Sequence, residues 1–163
     1  MLADFTSESM IVPRLRGRDT SSVLHELSKA LEKEACIPGM LPVYQSALNR
    51  EYLVSTAMDC GIAFPHARLP AVNRICFATG RSLEPLMWGH VNPQPVHLVF
   101  LVAVPATDSV GYLALLSALT KLGKNEVLRR RFLAAEDAAE IYSLLKTVEL
   151  PIVRSAELLS RTA

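Results

Sequence analysis

Cysteine and net charge are both scarce in this sequence. The three cysteines, Cys36, Cys60 and Cys76, are odd in number and far apart. This pattern predicts reduced, partly buried thiols in a cytoplasmic protein rather than a disulfide framework or a zinc site. The net charge of +1 gives no basis for a nucleic-acid partner, because contact with a phosphate backbone usually needs a basic surface.

Long apolar runs and an export signal are missing as well. No apolar run approaches the roughly 20 residues that span a bilayer, and the longest, residues 96–105, is interrupted by His97. The first residues are acidic and polar, without the basic start and long apolar stretch of an export signal. We therefore expect a cytoplasmic protein with no segment inserted in a membrane.

The composition is that of one globular domain. The chain has 163 residues, of which half are apolar and a fifth are charged, so it is long enough for one core and too short for two ordinary domains. Pro151 ends the last apolar stripe. We expect a domain over residues 1–150 and a loosely attached C-terminal tail over residues 151–163.

Apolar spacing predicts helices at both ends of the chain and strands between them. Asp19 or Thr20 can cap the first helix, and Asp108 or Ser109 can cap a later one. The continuous apolar run at residues 96–104 suits a central strand buried on both faces. The pattern indicates an α/β sandwich with a mixed sheet. The predicted helices are 19–35, 41–49, 109–123, 125–133 and 136–148, and the predicted strands are 10–12, 54–56, 61–64, 75–79 and 96–104.

The segment 49–68 concentrates polar residues around one histidine. His66 follows Pro65 at the end of an apolar run, and proline has no N–H to donate to a sheet. We expect the chain to leave the sheet at Pro65, with the His66 imidazole at a strand end facing a cleft. On spacing alone, a histidine after a proline is also typical of an ordinary turn.

A neutral imidazole can attack an electrophilic phosphorus atom, because its ordinary pKa is about 6.5. The resulting phosphohistidine would need hydrogen-bond donors, and a guanidinium fits phosphate oxygens best. Arg50 and Arg68 are candidates, and Ser55 or Thr56 could add a hydroxyl. A helix starting near residues 108–109 could present free backbone N–H groups to the same anion. Arg50 with its neighbouring glutamate is equally consistent with a solvated ion pair.

The remaining histidines are weaker candidates. His97 lies among apolar residues, which favours a core histidine, but it is a candidate second site histidine if its strand end adjoins the Pro65 turn. His90 lies in a segment rich in proline and glycine and is expected to be exposed. No two histidines are spaced like zinc ligands on one element, so we expect neither a metal nor a cofactor.

The motifs STA at residues 55–57 and GIAFPHA at residues 61–67 resemble the active-site segment of a known family. This family is the EIIA components of the bacterial phosphoenolpyruvate-dependent sugar phosphotransferase system, of the fructose-mannitol type that includes the nitrogen-regulatory EIIA proteins. The resemblance extends from the first amphipathic helix to the last helix. It implies a mixed sheet of about five strands between helices.

The resemblance also implies a cytoplasmic phosphocarrier. His66 matches the histidine that accepts a phosphoryl group from HPr and passes it to an EIIB protein, or whose phosphorylation state is read by a regulatory target such as a transporter or sensor kinase. Arg50 matches the family arginine near that histidine. Tyr112 stands where the family usually has a second histidine, and Asp59 and Phe64 also depart from the family pattern. The alternative is a non-catalytic regulatory interaction module that keeps the fold with weak or no phosphotransfer.

Overall fold

The computed structural model describes residues 1–152, which form five α-helices, six strands and two short 3-10 helices at Leu2–Phe5 and Glu8–Met10. The tail predicted at residues 151–163 lies almost entirely outside the described residues. The helices are α1 (Thr20–Glu32), α2 (Met40–Leu53), α3 (Ser109–Lys124), α4 (Glu126–Ala134) and α5 (Ala138–Leu145). The strands are β1 (Ile11–Val12), β2 (Ala57–Met58), β3 (Ile62–Ala63), β4 (His66–Leu69), β5 (Cys76–Trp88) and β6 (Gln94–Pro105).

The sheet is organised around β6, the strand that was predicted to be central. It pairs antiparallel with β5 and parallel with β3 and β4, while β1 pairs with β5 and β2 with β3. Ile62 aligns with Leu98 and His66 with Val102, so β3 and β4 lie in one line along β6. The six strands therefore occupy five positions, which confirms the mixed sheet of about five strands.

Helices cover both faces of this sheet, which confirms the α/β sandwich. On one face, α1 and α2 pack their apolar residues against alternate side chains of β5 and β6. On the other face, α3, α4 and α5 enclose a second apolar cluster around Phe77 and Phe100. The Asp19 carboxylate caps α1 by accepting the Ser22 N–H at 2.8 Å. Within residues 1–152, no helix combines the length and apolarity needed to cross a membrane.

Two strands differ from the sequence expectation. The strand expected at residues 54–56 forms later, at Ala57–Met58. The strand expected at residues 75–79 continues to Trp88. A register shift between Arg81 and Leu86 interrupts its pairing with β6, and this irregularity accommodates Pro85, which cannot donate to a neighbouring strand.

The expectation of three reduced cysteines was wrong. Cys36, which follows α1, and Cys76, which opens β5, are fully buried and joined by a disulfide. Cys60 is free and half-buried. The two cysteines are 40 residues apart in the sequence, and only the packing of α1 over the sheet brings them together. Their pairing therefore could not be predicted from spacing. The Cys36 carbonyl oxygen also accepts the Asn73 N–H at 3.2 Å, which ties the same two segments together.

Candidate functional site

His66 is the first residue of β4, at the point where β3 gives way to β4 along the central strand. The expectation that the chain leaves the sheet at Pro65 was wrong. The Pro65 carbonyl oxygen accepts the Val102 N–H at 2.9 Å, so the sheet continues past the proline. Pro65 has no N–H to contribute, and this interrupts the pairing without changing its register. His66 is therefore held at a strand end by pairing on both sides of the proline.

The His66 imidazole is half-buried and faces two neighbours. Its Nδ1 lies 3.5 Å from the Phe64 carbonyl oxygen. Its ring centroid lies 5.4 Å from that of Tyr112 on α3, with the two rings tilted. Burial lowers the pKa of His66 below its ordinary value, the hydrogen bond to Phe64 opposes this, and the charges of Arg50 and Arg68 lower it further. The imidazole is thus neutral and nucleophilic at neutral pH.

The charges of two guanidinium groups, those of Arg50 and Arg68, act on this imidazole. Arg50 is half-buried in the last turn of α2, where its Nη1 donates to the Val54 carbonyl oxygen at 3.1 Å. Arg68 lies two residues beyond His66 on the same face of β4, and its guanidinium donates to Ala106 O at 3.2 Å and Ser109 Oγ at 2.6 Å. Among residues 1–152, neither guanidinium is within ion-pairing distance of a carboxylate. Both charges are therefore available to an anion at His66.

Tyr112 completes the group of side chains around His66. It lies in the first turns of α3, and burial raises the pKa of its phenol, while the charges of Arg50 and Arg68 act in the opposite direction. The phenol therefore keeps its proton at neutral pH. It can donate a hydrogen bond to an oxygen bound at His66, which a neutral histidine in that place would do only in one tautomer.

The start of α3 is less open to an anion than the sequence suggested. Asp108 caps the helix by accepting the Gly111 N–H at 2.9 Å, and its carboxylate occupies this end of α3. A Cβ at position 111 would lie 2.8 Å from both the Asp108 carboxylate and Ile75. A side chain at position 111 would therefore have to displace the capping carboxylate or Ile75, and the Ser109 hydroxyl at this helix end accepts from Arg68 instead.

The hydroxyl groups of Ser55 and Thr56 form hydrogen bonds with groups other than His66. Ser55 Oγ accepts the Ala57 N–H at 3.2 Å and lies beside Gly89. Thr56 Oγ1 donates to the Glu51 carboxylate and accepts the Phe64 N–H at 3.0 Å. Because the Thr56 proton is already donated, this hydroxyl has no proton left for a phosphoryl oxygen. The expected role of Thr56 as a phosphoryl donor is not supported by this geometry.

Sequence reasoning missed Glu51 and Trp88. Glu51 does not pair with its neighbour Arg50 but is buried, with 1% of its surface exposed. Its carboxylate accepts from Thr56 and from Trp88 Nε1 at 3.3 Å. Burial raises the pKa of Glu51, and these hydrogen bonds and the charge of Arg50 oppose the shift. The sequence does contain a signal for the burial of Glu51. Val43, Ala47 and Glu51 recur at four-residue steps and share the buried face of α2.

His97 lies far from His66. It is near the start of β6, where its Nδ1 lies 3.1 Å from the Ser82 carbonyl oxygen. The residue of β6 beside His66 is Val102, five positions further along the strand. At about 3.3 Å per residue this is a separation of roughly 16 Å. The condition under which His97 could contact the phosphoryl group is therefore not met.

The other candidate groups lie outside this site. His90 is exposed and packs its ring against Tyr52, with centroids 5.3 Å apart. Asp59 is exposed in the turn between β2 and β3. Among residues 1–152, no three His, Cys, Asp or Glu side chains are grouped as they would be around a metal ion.

Comparison with known proteins gives a family match over most of the chain. Residues 4–148 match the family model described as phosphoenolpyruvate-dependent sugar phosphotransferase system, EIIA 2. A nitrogen regulatory protein of Bradyrhizobium diazoefficiens is 30% identical over 144 residues, covering 88% of this chain and 94% of the relative. The fructose-specific EIIABC component of Bacillus subtilis is 28% identical over 144 residues, but these are only 23% of its length.

Solved structures give the same fold. The crystal structure of the nitrogen regulatory protein IIA-Ntr from Neisseria meningitidis superposes with a TM-score of 0.75 at 26% identity, covering 88% of this chain and 98% of that one. Enzyme IIA mannitol of Escherichia coli, solved in complex with phosphorylated enzyme IIB mannitol, superposes with a TM-score of 0.73 at 18% identity, covering 86% and 96%. At that identity the second comparison supports the fold alone.

Proposed function

We propose that this chain, which belongs to the EIIA 2 family of the phosphoenolpyruvate-dependent sugar phosphotransferase system, carries a phosphoryl group on His66. The observation that carries the proposal is the neutral imidazole flanked by two guanidinium groups without carboxylate partners among residues 1–152. A neutral ring is ready to attack, and two unpaired cations stabilise the dianion that attack creates.

The contact to Phe64 indicates which ring nitrogen reacts. The Phe64 carbonyl oxygen can only accept, so the neighbouring His66 Nδ1 carries the ring proton and Nε2 carries the free lone pair. We infer that Nε2 attacks the phosphorus of the donor. The new N–P bond forms as the donor's bond to phosphorus breaks, and the donor keeps that electron pair. The Phe64 carbonyl oxygen stabilises the positive charge that develops on the ring.

The flanking groups have separate roles in this proposal. Arg50, held at the end of α2 by one hydrogen bond, retains most of its donors for the phosphoryl oxygens. Arg68 is fixed by two hydrogen bonds and contributes its charge from the exposed side. The Tyr112 phenol donates to the phosphoryl group. This assignment needs no metal or cofactor, because the cations and donors come from the chain.

The family membership suggests the partners. We infer that HPr is the phosphoryl donor in the cytoplasm and that the acceptor is an EIIB protein or a regulatory target such as a transporter or sensor kinase. The regulatory outcome is supported by the 30% identity to a nitrogen regulatory protein, and the transport outcome by the 28% identity to a fructose-specific EIIABC component.

The test is phosphorylation by the purified system. Incubation with phosphoenolpyruvate, Enzyme I and HPr is expected to add one acid-labile phosphate, detected by intact-mass spectrometry. The His66→Ala variant is expected to add none, while a His90→Ala control is expected to keep full uptake, because His90 is exposed and packs against Tyr52 rather than His66. Uptake by His66→Ala, or no uptake by the wild-type protein, would reject the proposal.

A second candidate is a regulatory interaction module with weak or no phosphotransfer. Tyr112, which replaces the second histidine usual in the family, is the observation that favours it, since a phenol cannot become cationic near neutral pH. If the protein accepts a phosphate and then discharges it onto an EIIB protein, the carrier function holds. If the wild-type protein folds but accepts none, the interaction module holds.

A further inference from the structure

A buried carboxylate, that of Glu51, is linked by hydrogen bonds to the segment that carries His66. Glu51 accepts hydrogen bonds from the Thr56 N–H at 2.9 Å, from the Thr56 hydroxyl and from Trp88 Nε1 at 3.3 Å. Within residues 1–152 it makes no ion pair. A buried charge is costly unless hydrogen bonds replace its hydration. Thr56 and Trp88 supply such hydrogen bonds, and the charge of Arg50 acts on the carboxylate without forming an ion pair with it.

These hydrogen bonds continue to the imidazole. Thr56 Oγ1 donates to Glu51 and accepts the Phe64 N–H at 3.0 Å, and the Phe64 carbonyl oxygen faces His66 Nδ1 at 3.5 Å. Pro65, between Phe64 and His66, has a fixed φ. The position of the Phe64 peptide is thus linked to Glu51 at one end and to the imidazole at the other.

We propose that Glu51, Thr56 and Trp88 form a positioning unit that fixes the Phe64 backbone and so holds His66 with its proton on Nδ1 and its Nε2 toward the phosphoryl donor. This inference rests on the proposed function of His66. The three residues touch neither the phosphoryl group nor its donor. They act through the Phe64 carbonyl oxygen.

The direction of the hydrogen bonds explains why a carboxylate is required. The N–H groups of Thr56 and Trp88 can only donate, so the carboxylate oxygens of Glu51 accept from them. The Thr56 hydroxyl then donates to Glu51 and keeps a lone pair for the Phe64 N–H. A glutamine at position 51 has nearly the same shape but one amide end that donates. That end would face either the Thr56 N–H or the Trp88 N–H, which are also donors. Glu51→Gln therefore disturbs the order of the hydrogen bonds with little change in volume.

The experiment compares four variants. Thr56→Val removes the hydroxyl at nearly constant shape, Thr56→Ser keeps the hydroxyl, and Glu51→Gln replaces one acceptor oxygen by a donor. Thr79→Val is the matched control, because Thr79 is a fully buried threonine of the same sheet whose Oγ1 has no hydrogen-bond partner within residues 1–152. Each variant is first checked for folding by urea denaturation.

Two measurements are then made on each folded variant. Nitrogen NMR of the unphosphorylated protein reports the tautomer of His66. Kinetics with phosphorylated HPr separate the maximal rate from the concentration that gives half of it. Thr56→Val and Glu51→Gln are expected to mix the two tautomers and to lower the maximal rate about 10- to 100-fold, as a misplaced nucleophile does, with little change in the half-saturating concentration. Thr56→Ser and Thr79→Val are expected to match the wild type.

The outcomes separate the two proposals. If Thr56→Val and Glu51→Gln lose stability but keep the wild-type tautomer and maximal rate, these residues are structural and the positioning role is overturned. If Thr79→Val reproduces the effect of Thr56→Val, the effect is general to the sheet and the inference is again rejected. If the wild-type protein accepts no phosphate, the proposed function fails, while the tautomer measurement still decides the positioning role.

Discussion

Replacing Arg50 by Gln is expected to slow phosphorylation of His66 and to raise the pKa of its imidazole. Arg50 is half-buried, uses one donor on Val54 O and has no carboxylate partner among residues 1–152. A hydrogen bond from a charged group contributes about 1.5–3 kcal/mol. Solvent screening of a half-exposed guanidinium favours the lower end, about 1.5 kcal/mol, which is a factor of slightly more than ten in rate.

Arg68 provides an internal comparison for the same prediction. Its guanidinium is exposed and already bonded to Ala106 O and Ser109 Oγ. Because solvent screens an exposed charge, such a charge stabilises its partner by only about 0.2–1 kcal/mol. Arg68→Gln is therefore expected to slow phosphorylation no more than about fivefold. Arg130→Gln, an exposed arginine paired with Glu126 on α4, is the matched control and is expected to have no effect.

The assay measures the rate of phosphate uptake from phosphorylated HPr and the NMR titration midpoint of His66 in each variant. Removal of either positive charge is expected to raise that midpoint, because both charges lower the pKa of His66. If Arg50→Gln changes neither the rate nor the midpoint, Arg50 does not act on the imidazole. If Arg68→Gln has the larger effect, the assignment of roles to the two arginines is wrong.

Three other predictions concern the cysteines, His66 and Tyr112. The Cys36–Cys76 disulfide closes a loop of about 40 residues, so reducing it is expected to lower the free energy of unfolding by about 4 kcal/mol in the chain-entropy account. Urea denaturation with and without reductant measures this change. Equal denaturation midpoints would contradict the prediction. Because the pKa of His66 is lowered on folding, the stability that wild type gains relative to His66→Gln is expected to be complete above about pH 6.5. It is lost as the pH falls through the folded-state pKa, and a difference that instead grows toward acid would refute the lowered pKa. Tyr112→Phe keeps the ring beside His66 but removes its hydroxyl. Loss of this hydrogen bond to the phosphoryl group, about 1 kcal/mol, is expected to slow phosphorylation about fivefold without changing the urea midpoint. An unchanged rate would exclude a role for the hydroxyl.

Much of the fold could be predicted from local patterns. The Asp19 cap and the apolar stripe of α1 reflect the helical period, and the run in β6 reflects burial on both faces of the sheet. These signals come from neighbours along the chain. The length of β5 was missed because Pro85 and exposed residues break the strand pattern, while its pairing with β6 resumes beyond the register shift.

The candidate site was predictable where residues are close in sequence or match a family motif. The structure brings His66, Arg50, Arg68 and Tyr112 together, and their types had indicated anion chemistry. The partners of Thr56 were not predictable, because its proton goes to a glutamate buried by tertiary packing.

Contacts between distant segments account for the other errors. The Cys36–Cys76 pair depends on α1 lying over the start of β5. The contribution of Trp88 depends on the far end of β5 reaching the end of α2. The place of His97 depends on the parallel register of β4 with β6, which local patterns do not specify. In each case the sequence defines the residue type, and the packing of helices on the sheet or the register of its strands defines the neighbour.

The most direct test of the central claim is to locate the phosphorus atom on the phosphorylated protein. Correlation NMR between phosphorus and the imidazole protons distinguishes the two ring nitrogens of a phosphohistidine. We predict one phosphorus signal, coupled to the ring of His66 through Nε2, with Nδ1 still facing the Phe64 carbonyl oxygen. A phosphorus atom on Nδ1 of His66, or on any other side chain, would contradict the account.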